Sequence, residues 1–538
     1  FQRRSGFPRA TGDERRYVFL KPKKVIGAIF PTVFRCPDCG RVYSYSQFEV
    51  ERSGIPFCRI CKRRMSQIHH VMVCSCGRIE NIRVPRCKQH GANDIVLDDR
   101  SERYRDFKWI CLKCKRVIER GLSRRCSCGR DMQPHVHTDS SVYQVHHITV
   151  VDMPEIKEEF VDDIDNFTIV AGALTGVFRH PAEKRIADFE GGLTEKLVSA
   201  GLSEREVERL KKALKSMEEF SHLLGDDEES KSRLIAKIRE VMGESLIEKL
   251  YQRRHRIFEY VKMMEDPSVE PVRLDEVLRI EGIREEKIDE SRRLLNDFGI
   301  SEIHYTTAFP IVNAVFGYTR LYDEENPEDA VLRAFPSHGG RTPVYVSRIK
   351  SEAIFIRLDP TRVLEWLVTN NYPVDQPTES PSRNHSTILK HLDPVEPYRL
   401  DEVNDITKAV FGLQHTISHL MIREASVLSG MERTSMAEFH FPEALSFAIY
   451  INSSESFMMG GFLTLIVQNL KEWLYGSFES GRRCIYDPVC LEGDGACHAC
   501  THLSEMSCQF FNSPQYLNRR LVYGGVGFQG YWEDVSVR

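Results

Sequence analysis

Sixteen cysteines lie in this chain of 538 residues, and most of them form pairs separated by only one or two residues. Two cysteines this close are poor disulfide partners, because a disulfide requires a particular separation and orientation of the two residues. They are good chelating groups for a tetrahedral ion such as Zn²⁺, which prefers thiolate and imidazole ligands. The spacing therefore predicts structural zinc sites in a reducing compartment, which we expect to be the cytoplasm.

Three of the predicted sites lie within residues 36–128. Taken in chain order, the ligand sets are Cys36, Cys39, Cys58 and Cys61; then Cys74, Cys76, Cys87 and His90; then Cys111, Cys114, Cys126 and Cys128. His69 and His70 are alternatives to His90 in the second set. Each set fills four positions with protein ligands and leaves none for water, so the sites are predicted to stabilise the fold rather than to catalyse a reaction.

A fourth site is predicted near the C-terminus, where five cysteines are available for four positions. Cys497-x-x-Cys500 is the clear chelating pair. We predict that Cys490 and Cys508 complete the set and that Cys484 is not a ligand. The expected cofactor content is therefore about four structural Zn²⁺ ions.

Charge is distributed unevenly along the chain, although the formal net charge is only −4. Residues 1–140 contain 30 Lys and Arg against 14 Asp and Glu, and the remainder contains 44 against 64. A basic module joined to an acidic body favours contact with a polyanion such as DNA. The predicted phosphate contacts are the cations that follow two of the cysteine pairs: Lys62, Arg63, Arg64, Lys115 and Arg116. Alternatively, basic residues here only balance the negative charge of zinc thiolates.

Catalytic motifs are missing from the sequence. No GxxxxGK[ST] phosphate loop occurs, so we do not expect this chain to hydrolyse ATP. His415 and His419 are one helical turn apart, as in a zinc protease, but Thr416 replaces the general-base glutamate. We interpret the two histidines as structural polar residues. A hydrolase that uses them is the minor alternative, and the chain is predicted not to be an enzyme.

These sites must be positioned by several folded units, and the composition predicts an α+β multidomain protein. Residues 1–145 are predicted to form a basic array of zinc ribbons, followed by a β-rich connector at 146–190. Residues 191–300 are rich in Glu, Lys, Arg and Leu with a helical period, which predicts a helical insertion. Residues 301–538 are predicted to form an α/β domain closed by the four-cysteine zinc site. No apolar run is long enough to predict a membrane span.

Individual elements follow from local patterns. Strands are predicted at residues 148–151, 167–170, 353–358 and 447–451. Helices are predicted at 207–217, 234–250, 360–367, 401–429 and 460–474. Residues 374–397 are rich in Pro, Ser and Asn, which indicates an exposed loop.

Several short stretches also resemble a known family. They are residues 71–74 with Gly77 to Glu80, the GxTR-type element at 315–320, the unit at 352–358 followed by Trp366, and Gln414, His415 and His419. The most specific stretch runs from Cys490 through Cys497, Cys500 and Cys508 to Asn512 and Arg519. Together they resemble DrmB, the helper subunit of the DISARM anti-phage system. The C-terminal part is similar to the zinc-binding domain of MrfA-type DNA-repair helicases.

The resemblance implies a non-enzymatic, DNA-binding partner of a superfamily 2 helicase of the DrmA type, joined to it in a hetero-oligomer. The partner would hydrolyse ATP while this chain helps to load or recognise DNA. The resemblance also implies that Cys490, Cys497, Cys500 and Cys508 form the C-terminal zinc site. The main alternative is a scaffold whose zinc ribbons bind only protein.

Overall fold

The computed structural model describes residues 16–24, 27–154, 158–177, 228–321, 332–395, 402–452, 460–492, 495–504 and 507–535. These residues form two compact units. The first combines the described parts of 1–150 and 312–347, and the second those of 151–311 and 348–538. The predicted helix at 207–217 lies outside the described residues. Among the residues described, no helix is both long and apolar enough to cross a membrane.

Strands occur in both units. Their bounds are β1 Tyr17–Leu20, β2 Val33–Arg35, β3 Val42–Ser44, β4 Ser66–Gln67, β5 His70–Val73, β6 Ile79–Asn81, β7 Ile95–Asp98, β8 Lys108–Cys111, β9 Val117–Arg120, β10 Arg124–Arg125, β11 Asp131–Val136, β12 Gln144–Val151, β13 Val272–Arg273, β14 Ile300–Thr319, β15 Arg333–Ala334, β16 Thr342–Leu358, β17 Met436–Phe441 and β18 Ser446–Ile451.

Most helices lie in the second unit. Their bounds are α1 Gln47–Ser53, α2 Glu158–Val161, α3 Ile164–Thr175, α4 Glu228–Met242, α5 Glu244–Tyr251, α6 Arg254–Glu265, α7 Leu274–Ile280, α8 Glu285–Asp297, α9 Pro360–Thr369, α10 Pro381–His391, α11 Asp405–Ser429, α12 Gly461–Gln468, α13 Leu470–Arg482, α14 Val489–Glu492 and α15 Arg519–Tyr523.

The first unit is built from small antiparallel sheets whose strand ends carry the paired cysteines. The orders are β10-β11-β5-β6, β3-β2-β4 and β7-β8-β9. Alternating apolar residues of these strands meet in a small core around Trp109, which is 1% exposed. Because this core is small, metal ions are expected to supply a large part of the stability.

The second unit is built on an antiparallel sheet in which β18 lies between β16 and β17. All six residues of β18 are buried, as expected of a central strand covered on both faces. Helix α11 contacts β17 and β18 and also packs against α13. Asn404 caps its first turn by accepting a hydrogen bond from the Thr407 N–H at 2.8 Å, and Gly430 ends it with φ of 70°.

The predicted strands at 148–151, 353–358 and 447–451 lie within β12, β16 and β18, and the helices at 360–367 and 401–429 correspond to α9 and α11. The predicted strand at 167–170 is wrong, because these residues belong to α3. A short apolar run fits a buried strand and a buried helix equally well. The capping residue Asp163, which accepts from the Asn166 N–H at 2.8 Å, is the signal that distinguishes them.

Two further element predictions are corrected. The loop predicted at 374–397 contains α10, which Ser380 caps and which begins at Pro381, the position where proline suits a helix. The single helix predicted at 460–474 is two helices, α12 and α13, separated at Asn469.

The segment at 191–300 is predicted as a helical insertion, and its described portion packs against the rest of the second unit. Helices α4 to α8 share one apolar core with the C-terminal strands and helices. Gly172 in α3 lets the side chain of Ile238 in α4 approach so closely that a Cβ at this glycine would lie 2.6 Å from it. An amphipathic face is buried here against the sheet unit, which sequence periodicity alone does not reveal.

Candidate metal centres

The first predicted cysteine set is brought together as expected. Cys36, Cys39, Cys58 and Cys61 place their sulfur atoms within 4.8 Å of one another. The Cys39 and Cys58 Sγ atoms are 3.7 Å apart. Sulfurs bound to a tetrahedral zinc at about 2.3 Å lie about 3.8 Å from each other, so this geometry fits the ion.

Each paired-cysteine turn of the three N-terminal sets is closed by backbone hydrogen bonds around a residue of positive φ. In the first set, the Gly40 N–H donates to the Cys36 carbonyl and the Lys62 N–H donates to the Cys58 carbonyl, both at 3.0 Å. Gly40 has φ of 70°, whereas Lys62 and Lys115 adopt φ of 58° and 56° without being glycine. The left-handed conformation costs an L-residue about 1–2 kcal/mol, so the turn imposes it on these lysines.

The predicted partition of the next two sets is wrong. The structure groups the ligands as Cys74, Cys76, Cys126 and Cys128, and as Cys87, His90, Cys111 and Cys114. The reason is strand pairing. Strand β5, which precedes Cys74, pairs with β11, which follows Cys128, and the Cys74 and Cys128 sulfurs are 3.6 Å apart.

Pairing of β7 with β8 assembles the other set, because it brings Cys111 next to the turn that contains Cys87 and His90. The His90 Nδ1 atom lies 3.7 Å from the Cys87 sulfur and 3.6 Å from the Cys111 sulfur. The alternative histidines are elsewhere: His69 stacks on His137, and His70 faces Asp99. The second of these sets is thus nested between the two halves of the first along the chain, and each set joins turns of the same spacing.

At the C-terminus, the structure corrects the choice of ligands. Cys484, Cys490, Cys497 and Cys500 come together, and Cys508 does not join them. The Cys484–Cys497 and Cys490–Cys500 sulfur distances are 3.5 and 3.6 Å. The irregular spacing hid the role of Cys484, which a hydrogen bond from its N–H to Asp487 Oδ2 at 2.8 Å holds in place.

One thiol in each set has a pKa near neutrality, as a metal ligand needs. Burial raises the pKa of Cys39, but hydrogen bonds from the Arg41 side chain and backbone and from neighbouring thiols together outweigh it and lower the pKa to about 6. A hydrogen bond from the backbone of Gln89 lowers the pKa of Cys87 to about 6.

The other two sets also contain one thiol whose pKa is near neutrality. The Arg130 backbone lowers the pKa of Cys128 to about 7. Burial opposes the shift at Cys497, yet the Ala499 backbone and neighbouring thiols lower its pKa to about 7. Backbone N–H groups directed at sulfur stabilise thiolates, so each set is preorganised for a cation, with zinc the ion that suits these donors.

Three arginines that position these turns were not singled out from composition or spacing. Arg320 donates to the Gly77 carbonyl at 2.8 Å, and Arg333 donates to the Cys76 carbonyl. Arg519, which is 1% exposed, donates to the carbonyls of Gly481 and Gly495 at 3.0 Å. The family resemblance at 315–320 and at Arg519 was the available signal, although it gave these residues no role.

The predicted DNA contacts Lys62, Arg63, Arg64, Lys115 and Arg116 are all exposed on the first unit. Arg63 forms an ion pair with Asp38 at 3.0 Å, which reduces its availability for a phosphate. A second basic surface was not predicted: Arg103, Arg105 and Arg120 line a cleft of about 740 Å³.

Two comparisons with known proteins bear on these sites. A family model described as a domain of unknown function (DUF8724) matches residues 4–144, which include the three N-terminal metal sets. A protein of Bacillus paralicheniformis described as "DISARM protein DrmB" is 25% identical over 187 residues, which covers 32% of this chain and 32% of that protein. The chain thus matches about a third of the relative's length. It is similar to a DISARM protein over that part, and its cysteine-rich N-terminal segment is similar to a domain of unknown function.

Proposed function

We propose that this chain is a DNA-binding, non-catalytic accessory subunit of a DISARM-type anti-phage defence system. In this proposal it acts in the bacterial cytoplasm, in a hetero-oligomer with a DrmA-like superfamily 2 helicase that hydrolyses ATP. The similarity to DrmB supports the assignment to a DISARM-type system, and the class of partner is what the family resemblance of the sequence implies. The observation that carries DNA binding is the basic surface of the first unit, which is held by its three candidate zinc sites.

The arginine cleft is the best-formed part of this surface. Arg103, Arg105 and Arg120 are exposed, and within the described part of the chain no carboxylate forms an ion pair with them. Arg103 precedes the 3-10 turn at Tyr104–Asp106, Arg105 lies within that turn, and Arg120 ends β9. Gly121, with φ of 73°, allows the two walls to approach: a Cβ there would be 3.2 Å from the Arg105 Cα. Such a rigid group of guanidinium ions suits phosphate oxygens.

The cations beside the cysteine turns extend this surface. Lys62 and Lys115 are held in the left-handed conformation, so their backbone position is fixed by the turn. Zinc then acts by fixing the positions of cationic side chains, and not by binding DNA or activating water. The four closed ligand sets fit this role, because each uses only protein donors.

A salt titration of DNA affinity tests the proposal. The variant Arg103→Ala/Arg105→Ala/Arg120→Ala is expected to bind DNA more weakly. The slope of log affinity against log salt should fall by about 0.9 for each phosphate contact removed from duplex DNA. A second variant, Lys62→Gly/Arg64→Ala/Lys115→Gly/Arg116→Ala, tests the turns without disturbing their positive φ.

The matched control is Lys287→Ala/Arg383→Ala/Lys390→Ala, which removes three exposed cations from the second unit. It should leave the slope of log affinity against log salt unchanged. The same titrations are run with the helicase present. DNA binding through this basic surface is refuted if both variants retain the wild-type slope. If the wild-type chain binds no DNA but still captures the helicase after nuclease treatment, it is a protein-only scaffold. If the pair binds DNA no better than the helicase alone, the loading role is wrong.

A further inference from the structure

A fifth group of potential metal ligands lies in the interior of the second unit. It consists of His415, His419, Glu438 and Cys508, which we term the inner cluster. The two histidines are one turn apart on α11, Glu438 is in the middle of β17, and Cys508 follows the four-cysteine site. The first three are 0–2% exposed and Cys508 is 4% exposed.

The tautomers of the two histidines are fixed by backbone carbonyl groups. His415 Nδ1 lies 3.0 Å from the Tyr516 carbonyl oxygen, and His419 Nδ1 lies 2.9 Å from that of Thr501. A carbonyl oxygen only accepts, so Nδ1 must carry the hydrogen in both rings. The Nε2 atom of each neutral ring therefore presents a lone pair to the centre of the cluster. Orientation of an imidazole by an Nδ1–H bond is a usual feature of metal-binding histidines.

Glu438 directs one carboxylate oxygen to the same point. Its Oε1 atom is 2.9 Å from His415 Nε2 and 3.3 Å from His419 Nε2. Its Oε2 atom is engaged on the other side, where it accepts from the Ser418 hydroxyl and lies 2.9 Å from His440 Nε2. Gln414 donates to His440 Nδ1 at 3.2 Å, which leaves the hydrogen of that ring on Nε2, towards Glu438. Oε1 is thus the oxygen left for the centre.

Cys508 supplies the fourth donor. Its sulfur lies 3.2 Å from His415 Nε2 and accepts the Asn512 N–H at 3.2 Å. All four donor atoms lie within 4.8 Å of one another. Donor atoms around a tetrahedral zinc, at bond lengths of 2.0–2.3 Å, are about 3.3–3.8 Å apart, so a small outward movement would accommodate the ion.

Two imidazole lone pairs and a carboxylate lone pair converge at this point, and a cation is needed between them. A divalent ion with one carboxylate and one thiolate has no net charge, which suits a site with no access to water. We propose that His415, His419, Glu438 and Cys508 hold a fifth structural Zn²⁺ ion. The site is closed by four protein ligands, so it stabilises the unit and performs no chemistry.

The ion would fasten the C-terminal segment to the centre of the unit. Thr501, which orients His419, directly follows Cys500 of the four-cysteine site, and Tyr516, which orients His415, lies further along the same segment. Two ions would therefore anchor one stretch of chain, the first through its beginning and the second through Cys508. The competing explanation is a proton in place of the ion, which would form an imidazolium–carboxylate network.

Zinc content of the purified full-length chain separates these explanations. The protein is prepared under reducing conditions with Zn²⁺ and dialysed, and bound metal is counted by native mass spectrometry. We expect the wild-type chain to hold one more ion than Cys508→Ser, and Cys508→Ser to hold the same number as Cys484→Ser. The double variant Cys484→Ser/Cys508→Ser should lose two ions.

A second measurement does not depend on the folding of any variant. Co²⁺ replaces Zn²⁺ in the wild-type chain, and X-ray absorption gives the mean number of sulfur and nitrogen or oxygen neighbours per ion. Five filled sites predict 16 sulfur and 4 nitrogen or oxygen ligands in total, from the five ligand sets together. Four ions per wild-type chain, with no loss in Cys508→Ser, would overturn the proposal in favour of the protonated network.

Discussion

The nested order of the two middle ligand sets predicts how many ions each double variant should lose. The double variant Cys74→Ser/Cys126→Ser removes two ligands from a single set, so it should lose one zinc ion relative to the wild-type chain. The double variant Cys74→Ser/Cys87→Ser removes one ligand from each of two sets and should lose two ions. The two variants carry the same number of substitutions, and each serves as the control for the other.

The energetic consequence follows from the same geometry. A structural zinc site contributes about 10–16 kcal/mol of apparent binding energy, which is comparable to the whole stability of a small domain. Cys74→Ser/Cys126→Ser should therefore expose the amides of β5 and β11 to hydrogen exchange while the β7–β8 hairpin stays protected. Native mass spectrometry gives the ion count and hydrogen exchange gives the location. Loss of two ions from Cys74→Ser/Cys126→Ser and one from Cys74→Ser/Cys87→Ser would refute this grouping of the ligands.

Three other predictions concern single buried or strained residues. Arg519→Met should lower the free energy of unfolding by about 3–5 kcal/mol in urea titrations, because it leaves Asp487, which the arginine contacts at 2.6 Å, without its buried cation; Arg519→Lys should recover part of the loss. Lys62→Gly should raise the free energy of unfolding by about 0.5–1 kcal/mol in urea titrations, since it relieves a φ of 58°, and a free energy of unfolding below that of the wild type would contradict the idea of strain there. Burial, and then the charge of Arg357, lowers the pKa of His385 to about 3 from 6.5, so its contribution to stability is complete above pH 6.5 and is lost as the pH falls towards 3. The wild type should therefore lose about 1.4 kcal/mol per pH unit more than His385→Gln between pH 6.5 and 5.

Local patterns predicted the ligands more reliably than their grouping. Paired cysteines identify themselves by spacing, and strands such as β18 by an unbroken apolar run. Which turn meets which depends on strand pairing, and the pairing of β5 with β11 joins residues more than 50 positions apart. Joining turns of equal spacing would have grouped the ligands of the two middle sets correctly. Only the pairing of the strands, however, gives a physical reason for that choice.

The C-terminal ligands were mispredicted for a different reason. Five cysteines suggested one surplus residue, and the family resemblance implied Cys508 as the fourth ligand, which left Cys484 as the spare. In the structure Cys508 is the one directed elsewhere, towards His415 and Glu438. The sequence marked the two histidines of α11 through their helical spacing, but it gave no sign of Glu438, which reaches them from a strand.

The nested sets also determine what a cut in the chain would do. Residues 100–103 are exposed and lie between the two halves of both sets. A protease that cuts there leaves two fragments, yet each of the two ions still takes two ligands from one fragment and two from the other. The nicked unit would migrate as one species until a chelator is added, and then separate. The coordination bonds would thus hold the two parts of this unit together even where the peptide chain is cut.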